Sequence, residues 1–277
     1  MKTSLKFLAT GMTMSLLLAG CNQSGSPISG GGVRTGLTMT GSGQPAVAQT
    51  NMQKLFSLFV PSAVALTPPL LVDSTSLSVN LTEAWIVIKE IEFESQEVAG
   101  GAEQDGNEVE FQGPYFVDLL SDAPISFGDA VLPASGIRRV KMKLHEADSL
   151  PVSVPVQLNS KSVYFSGTVN GVAFSYAADD STELEIGGSN PVVPNTAQDM
   201  LIVIRMAELF KKIDLSSIVG ATDIHAGNRV NAVNPCPLID ASANDLYTCF
   251  RNGLSTEGNF GNDDGDKDLD INDETVD

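Results

Sequence analysis

The stretch that decides the fold reads Leu81-Thr82-Glu83-Ala84-Trp85-Ile86-Val87-Ile88-Lys89-Glu90-Ile91-Glu92-Phe93-Glu94. Trp85, Val87, Ile91 and Phe93 share one parity, while Glu90, Glu92 and Glu94 hold the other. Successive side chains of a strand point to opposite faces, so this alternation predicts a long strand with one dry face and one acidic face. Just upstream, Leu77, Val79 and Leu81 alternate with polar residues, which places the first β signal near Ser76.

Working outward, the same period returns several times. Val140, Met142 and Leu144 alternate with Arg139, Lys141 and Lys143, again with one wet face. Val163–Val169 and Val172–Tyr176 flank Asn170-Gly171, a pair that tolerates the positive φ angles of a type I′ hairpin turn. Tyr115–Leu120, Leu184–Ile186 and Met200–Ile204 are further short strands, and Ala207–Lys212 is a short helix. Residues 95–110, rich in Gly, Glu and Gln, read as an acidic loop. About seven or more short strands with few helices predict a mainly β protein, an antiparallel β-sandwich. A closed barrel fits the same pattern.

Three runs carry a resemblance: Leu81–Ile91, then Phe116-Val117-Asp118-Leu119-Leu120, then Leu132-Pro133-Ala134-Ser135-Gly136-Ile137-Arg138-Arg139-Val140. Together they resemble an uncharacterised family of bacterial lipoprotein β-sandwich domains over about residues 76–215. Glu83 stands where that family usually has Asp, and Gly136 comes one position late in the turn. The resemblance implies a sandwich fold and an envelope location only, since no catalytic role is settled for the family.

The N-terminus supports that location independently. Lys2 and Lys6 precede a mostly apolar run from Phe7 to Leu18, which is too short to span a bilayer as a helix. The run closes on Leu18-Ala19-Gly20-Cys21, whose small residues suit a signal peptidase and whose cysteine supplies a thiol for lipid attachment. An ordinary secretory signal with an incidental cysteine is the competing reading. Asn22 after the cysteine favours the outer membrane of a Gram-negative bacterium over the inner one. From residue 22 to about 50 the chain is rich in Gly, Ser, Thr and Gln and reads as a tether. Met52, Leu55, Phe56 and Phe59 then recur at helical spacing before Pro61, Pro68 and Pro69. These readings give a signal peptide at 1–20, a lipidated tether and apolar linker at 21–72, a sandwich at 73–220 and a distinct segment at 221–277.

That last segment holds the two remaining cysteines, Cys236 and Cys249, which in an oxidising compartment are expected to pair with each other. The chain ends in an irregular acidic segment with Asp264, Asp266, Asp268 and Asp270 at every second position. Alternating carboxylates suit a hard cation such as calcium. An EF-hand loop counted from Asp264 would need glycine at residue 269 and a carboxylate at 275, where Leu269 and Thr275 stand. A solvated acidic tail and calcium in an irregular loop are the two readings.

Composition narrows function. A formal charge of −18 repels phosphates, so nucleic acid is not an expected partner. With two histidines, His145 and His225, the supply for His-based catalysis is thin, and neither a Gly-x-Ser-x-Gly elbow nor a His-Glu-x-x-His run occurs. The expectation is a non-catalytic lipoprotein, joined to a membrane by its lipid and binding an envelope protein or a glycan. The alternative is a hydrolase using paired carboxylates or His145 on the sandwich.

Overall fold

The computed structural model describes residues 32–42, 71–95, 109–121, 123–179, 181–196, 198–263, 269 and 274–276. The protein is mainly β, with two sheets packed over one apolar core. The first sheet has the order β13(Glu274–Thr275), β12(Gly258–Asp263), β10(Asp199–Arg205), β1(Gly32–Ser42), β5(Ile125–Pro133). The second is built around β3(Ser78–Ser95) and holds β2(Leu71–Val72), β4(Val109–Asp118), β6(Ile137–Leu144), β7(Val163–Val169), β8(Val172–Ala178), β9(Thr182–Val192) and β11(Thr222–Ile224). Most pairings are antiparallel, but β1–β10 and β8–β11 are parallel.

The register of β3 explains the second sheet. Strand β4 pairs with residues from Trp85 to Phe93, so it occupies one edge. Strands β7 and β6 therefore share the other edge end to end, β7 along Val79–Ile86 and β6 along Ile88–Ser95. Bulges between Leu81 and Glu83 and between Ile88 and Glu90 each shift the inward parity. Val79 and Leu81 point inward, then Ala84, Ile86 and Ile88, then Ile91 and Phe93. This corrects the single parity expected for Trp85–Phe93. Val87 is buried on the outer face, and Trp85 is only half-buried.

The hairpin expected at Asn170-Gly171 is present, with φ of 47° and 81° at the two positions. A residue with a β-carbon adopts such angles reluctantly, so Asn and Gly are the sequence's way of turning β7 into β8 in two residues.

The tether reading of 21–72 needs correction. Residues 32–42 form β1, a central strand of the first sheet, with Thr35, Leu37 and Met39 buried. Gly41 is there for close approach, since an added Cβ would lie 2.0 Å from the Leu119 carbonyl oxygen. Strand β2 adds Leu71 to the core. The helix expected from Met52 to Phe59 and most of the 95–110 loop lie outside the described residues.

The boundary at 220 has no counterpart either. Strand β12 pairs with β10 from Asp199 to Ile204, all but its last residue. Helix α1(Met206–Lys211) agrees closely with the expected short helix, and α2(Leu246–Thr256) follows in the C-terminal part. Asp245 caps α2 by accepting from the Thr248 N–H at 2.8 Å. Phe250 of α2 then packs among Phe165, Phe174, Tyr176 and Phe210, all contributed from before residue 221. Burying one such ring stabilises the fold by about 1.5–3 kcal/mol, enough to hold this segment in the common core. Strand β10 is covered on both faces, for Leu201 and Val203 pack with Leu269 on its outer side.

Candidate functional site

The outer face of the second sheet carries an ordered charge array. Glu90 lies between Gln112 on β4 and Lys143 on β6, and Lys143 faces Glu183 on β9. One rung along, Glu92 lies between Glu110 and Lys141, and Lys141 faces Glu185. The Lys143 ammonium bridges Glu90, at 2.5 Å, and Glu92. Lys141 pairs with Glu94, and Arg139 reaches Glu94 at 3.5 Å and Glu185 at 3.1 Å. Gln112 donates to Glu90 at 3.1 Å and to Glu110 at 3.5 Å. Cross-strand pairs of opposite charge support a sheet by a few tenths of a kcal/mol each, so the array is first of all structural.

The two carboxyls sharing Lys143 are unlike. Glu90 is lowered to about 2, first by its hydrogen bond with Glu92 and then by Lys143. Glu92 is raised, first by that same hydrogen bond and then by burial. Two adjacent carboxylates cannot both ionise freely, and Glu92 carries the cost. On β4, burial also pushes Asp118 up, with the Glu83 charge adding to it.

Glu90, Glu92 and Glu110 offer carboxylate oxygens within 4.8 Å of one another, the spacing of a cation site. Calcium takes six to eight oxygens, and the Lys143 ammonium already lies between two of these three groups. The cluster therefore reads as a charge ladder closed by the chain's own cation.

Beside the array, where β6 meets β9, is a shallow open cleft of about 390 Å³ lined by Arg138, Arg139, Glu185, Gly187, Gly188 and Ser255. Arg138 Nε donates to the Gly188 carbonyl at 3.4 Å, and Ser255 Oγ accepts from the Glu185 N–H at 3.2 Å. Neither histidine lines it. His145 Nδ1 lies 2.8 Å from the Glu146 carbonyl, and His225 Nδ1 accepts from the Gly227 N–H at 3.1 Å, so both rings serve local turns.

The other expected residues divide cleanly. Cys236 and Cys249 are brought to disulfide distance, with Cα atoms 5.8 Å apart and both side chains fully buried. Cys21 lies outside the described residues, as do Asp264, Asp266, Asp268 and Asp270. The described residues on either side of that acidic run are in strands, for β13 returns to β12 with Gly261 opposite Thr275. Sequence reasoning did not single out the Glu90–Glu92–Glu110–Lys143 cluster. Its signal was the acid alternation of β3 facing the basic alternation of β6, which an antiparallel pairing converts into rungs.

Among the described residues no helix is long and apolar enough to cross a membrane. Comparisons with protein-family models, with curated proteins and with solved structures each find no match.

Proposed function

We propose that this chain is a non-catalytic lipoprotein of the bacterial cell envelope, anchored through Cys21 in the outer membrane and presenting its sandwich to an envelope protein or a glycan. Location is supported by Leu18-Ala19-Gly20-Cys21 after a short apolar run. The observation that carries a binding role is the array on the outer face of the second sheet. Its carboxylates are held by rungs of Lys and Arg on a rigid sheet, a preorganised surface for a partner with complementary charge.

The test is crosslinking in intact cells with the lipid retained, comparing the native chain with a Glu92→Lys, Glu110→Lys double variant. A partner captured by the native chain and lost by a folded double variant supports the assignment. Identical capture by both removes the array from the binding surface.

A second reading, a carboxylate hydrolase, is favoured by the divergent behaviour of Glu90 and Glu92, one held ionised and the other raised. Glycoside turnover by the purified native chain that disappears in Glu92→Gln would establish it in place of the first.

A further inference from the structure

We infer that the protein stands end-on on the bilayer, with the end formed by Gly32, the Pro133–Gly136 turn and Val193 against the lipid surface. This rests on lipidation of Cys21, the reading proposed above. Ten residues separate Cys21 from Gly32. Whatever conformation they take, they reach at most about 40 Å. Gly32 is not a loosely placed residue, because it opens a central strand and pairs with Pro133, the last residue of β5.

The sheet registers fix which end this is. Pro133 leads through a turn, closed by the Gly136 N–H donating to the Pro133 carbonyl, into Ile137 at the start of β6. Ile137 pairs with Ser95 at the end of β3 and with Val192 at the end of β9. The opposite end holds the start of β3 and the β7–β8 hairpin, where Val79 pairs with Val169. Val79 and Ser95 lie sixteen positions apart on one strand, about 50 Å. With β3 upright, the inverted pose would lift Gly32 about 50 Å from the lipid, beyond the at most about 40 Å that the anchor reaches, so only the Gly32 end can face the bilayer.

At the Gly32 end Val131 and Val193 are 43% and 45% exposed, less than Val219 at 88% before β11, so reach and charge rather than apolar exposure carry the orientation. Arg138, also exposed there, has no carboxylate partner among the described residues, and its Nε donates to the Gly188 carbonyl. Exposed apolar side chains beside a guanidinium suit the headgroup region of a bilayer. Lying flat on the second sheet would instead press its carboxylate-rich face against phosphates.

The experiment uses the full lipidated chain in phosphatidylethanolamine-rich vesicles, with the photocrosslinker p-benzoylphenylalanine placed in turn at Val131, at Val193 and at Ala173. All three positions are exposed, and Ala173 is beside the β7–β8 turn. Mass spectrometry of the same samples reports both the lipid on Cys21 and the crosslinked adducts. Lipid adducts at Val131 and Val193 several-fold above those at Ala173 are expected. Equal or greater labelling at Ala173 on a lipidated chain overturns the orientation and leaves the anchor standing. A mature chain without lipid on Cys21 overturns both.

Discussion

The backbone N–H of Val87 donates to the carbonyl of Ser162 at 2.8 Å, and the Val87 carbonyl accepts from the His145 N–H at 3.2 Å. In an antiparallel sheet one opposing residue supplies both of those groups. Here the two are supplied by residues at the ends of the 145–162 loop, because β6 stops opposite Ile88 and β7 resumes opposite Ile86. Residues 145–162 are thus a loop inserted at a single position of what is otherwise one strand. It is longer than most connections in compact domains. Leu158 and Ser162 are buried, while Val152 and Val156 project into solvent.

Replacing residues 145–162 by one threonine is accordingly expected to leave a folded protein, with β6 and β7 fused along β3. Losing the buried Leu158 with the loop is expected to cost about 1.5–3 kcal/mol. Chemical denaturation followed by circular dichroism checks this, the expected outcome being a single cooperative transition at lower denaturant. A chain with no cooperative transition would mean that the loop, and not the pairing with β3, sets the register.

Cys236 and Cys249 are expected to resist thiol reagents in the native, unreduced protein, since both are fully buried and at bonding distance. Thirteen positions separate them. Reduction, or the Cys236→Ser, Cys249→Ser pair, is expected to lower stability by about 3 kcal/mol. Quantitative labelling of both residues without reduction would contradict the pairing.

Asp73 ties the loop before β3 to the segment after α1. Its carboxylate, buried to 3% exposure, accepts from the Leu77 N–H at 2.7 Å, the Thr75 N–H at 2.9 Å and the Leu215 N–H at 2.9 Å. Asp73→Ala strands these donors and is expected to cost about 2–3 kcal/mol or more. Asp73→Asn keeps one acceptor oxygen and is expected to lose less. Equal unfolding midpoints for Asp73→Ala and the native chain would show that water replaces the carboxylate without cost.

The Glu90–Glu92 pair sets a pH dependence of known sign. Because Glu90 titrates near 2 in the fold and 4.5 is its ordinary value, its contribution is present above pH 4.5 and is lost as pH falls through 2. Glu92 is displaced upward, so its ionised form opposes folding above its own folded value, and that penalty is gone below 4.5. Glu90→Gln is therefore expected to destabilise at neutral pH and to converge on the native chain as pH falls toward 2. Glu92→Gln is expected to lose less at neutral pH than Glu90→Gln does. Unfolding midpoints measured across that range check both, and the reverse order at neutral pH would contradict the assignment.

What the sequence disclosed and withheld follows from which forces are local. Asn170-Gly171 was legible because positive φ is a one-residue property. The run Met200–Ile204 was legible because a strand covered on both faces needs no alternation. Strand β1 was not, because its inward residues are Thr35, Leu37, Met39 and Gly41, of which only two are strongly apolar, amid the glycines of a linker. The bulges of β3 were hidden because they are set by its partners' registers. The charge array was half visible: both alternations were in the sequence, and only the pairing of β3 with β6 placed Lys143 between Glu90 and Glu92.

Ten residues separate Cys21 from Gly32, the start of β1, and both the proposed location and the orientation depend on lipid at Cys21. The most direct test is intact-mass and peptide mass spectrometry of the mature chain isolated from the cell envelope. The prediction is an N-terminal peptide beginning at Cys21 with diacylglycerol on its sulfur. A mature chain that begins at any other residue, or at an unmodified Cys21, would contradict it.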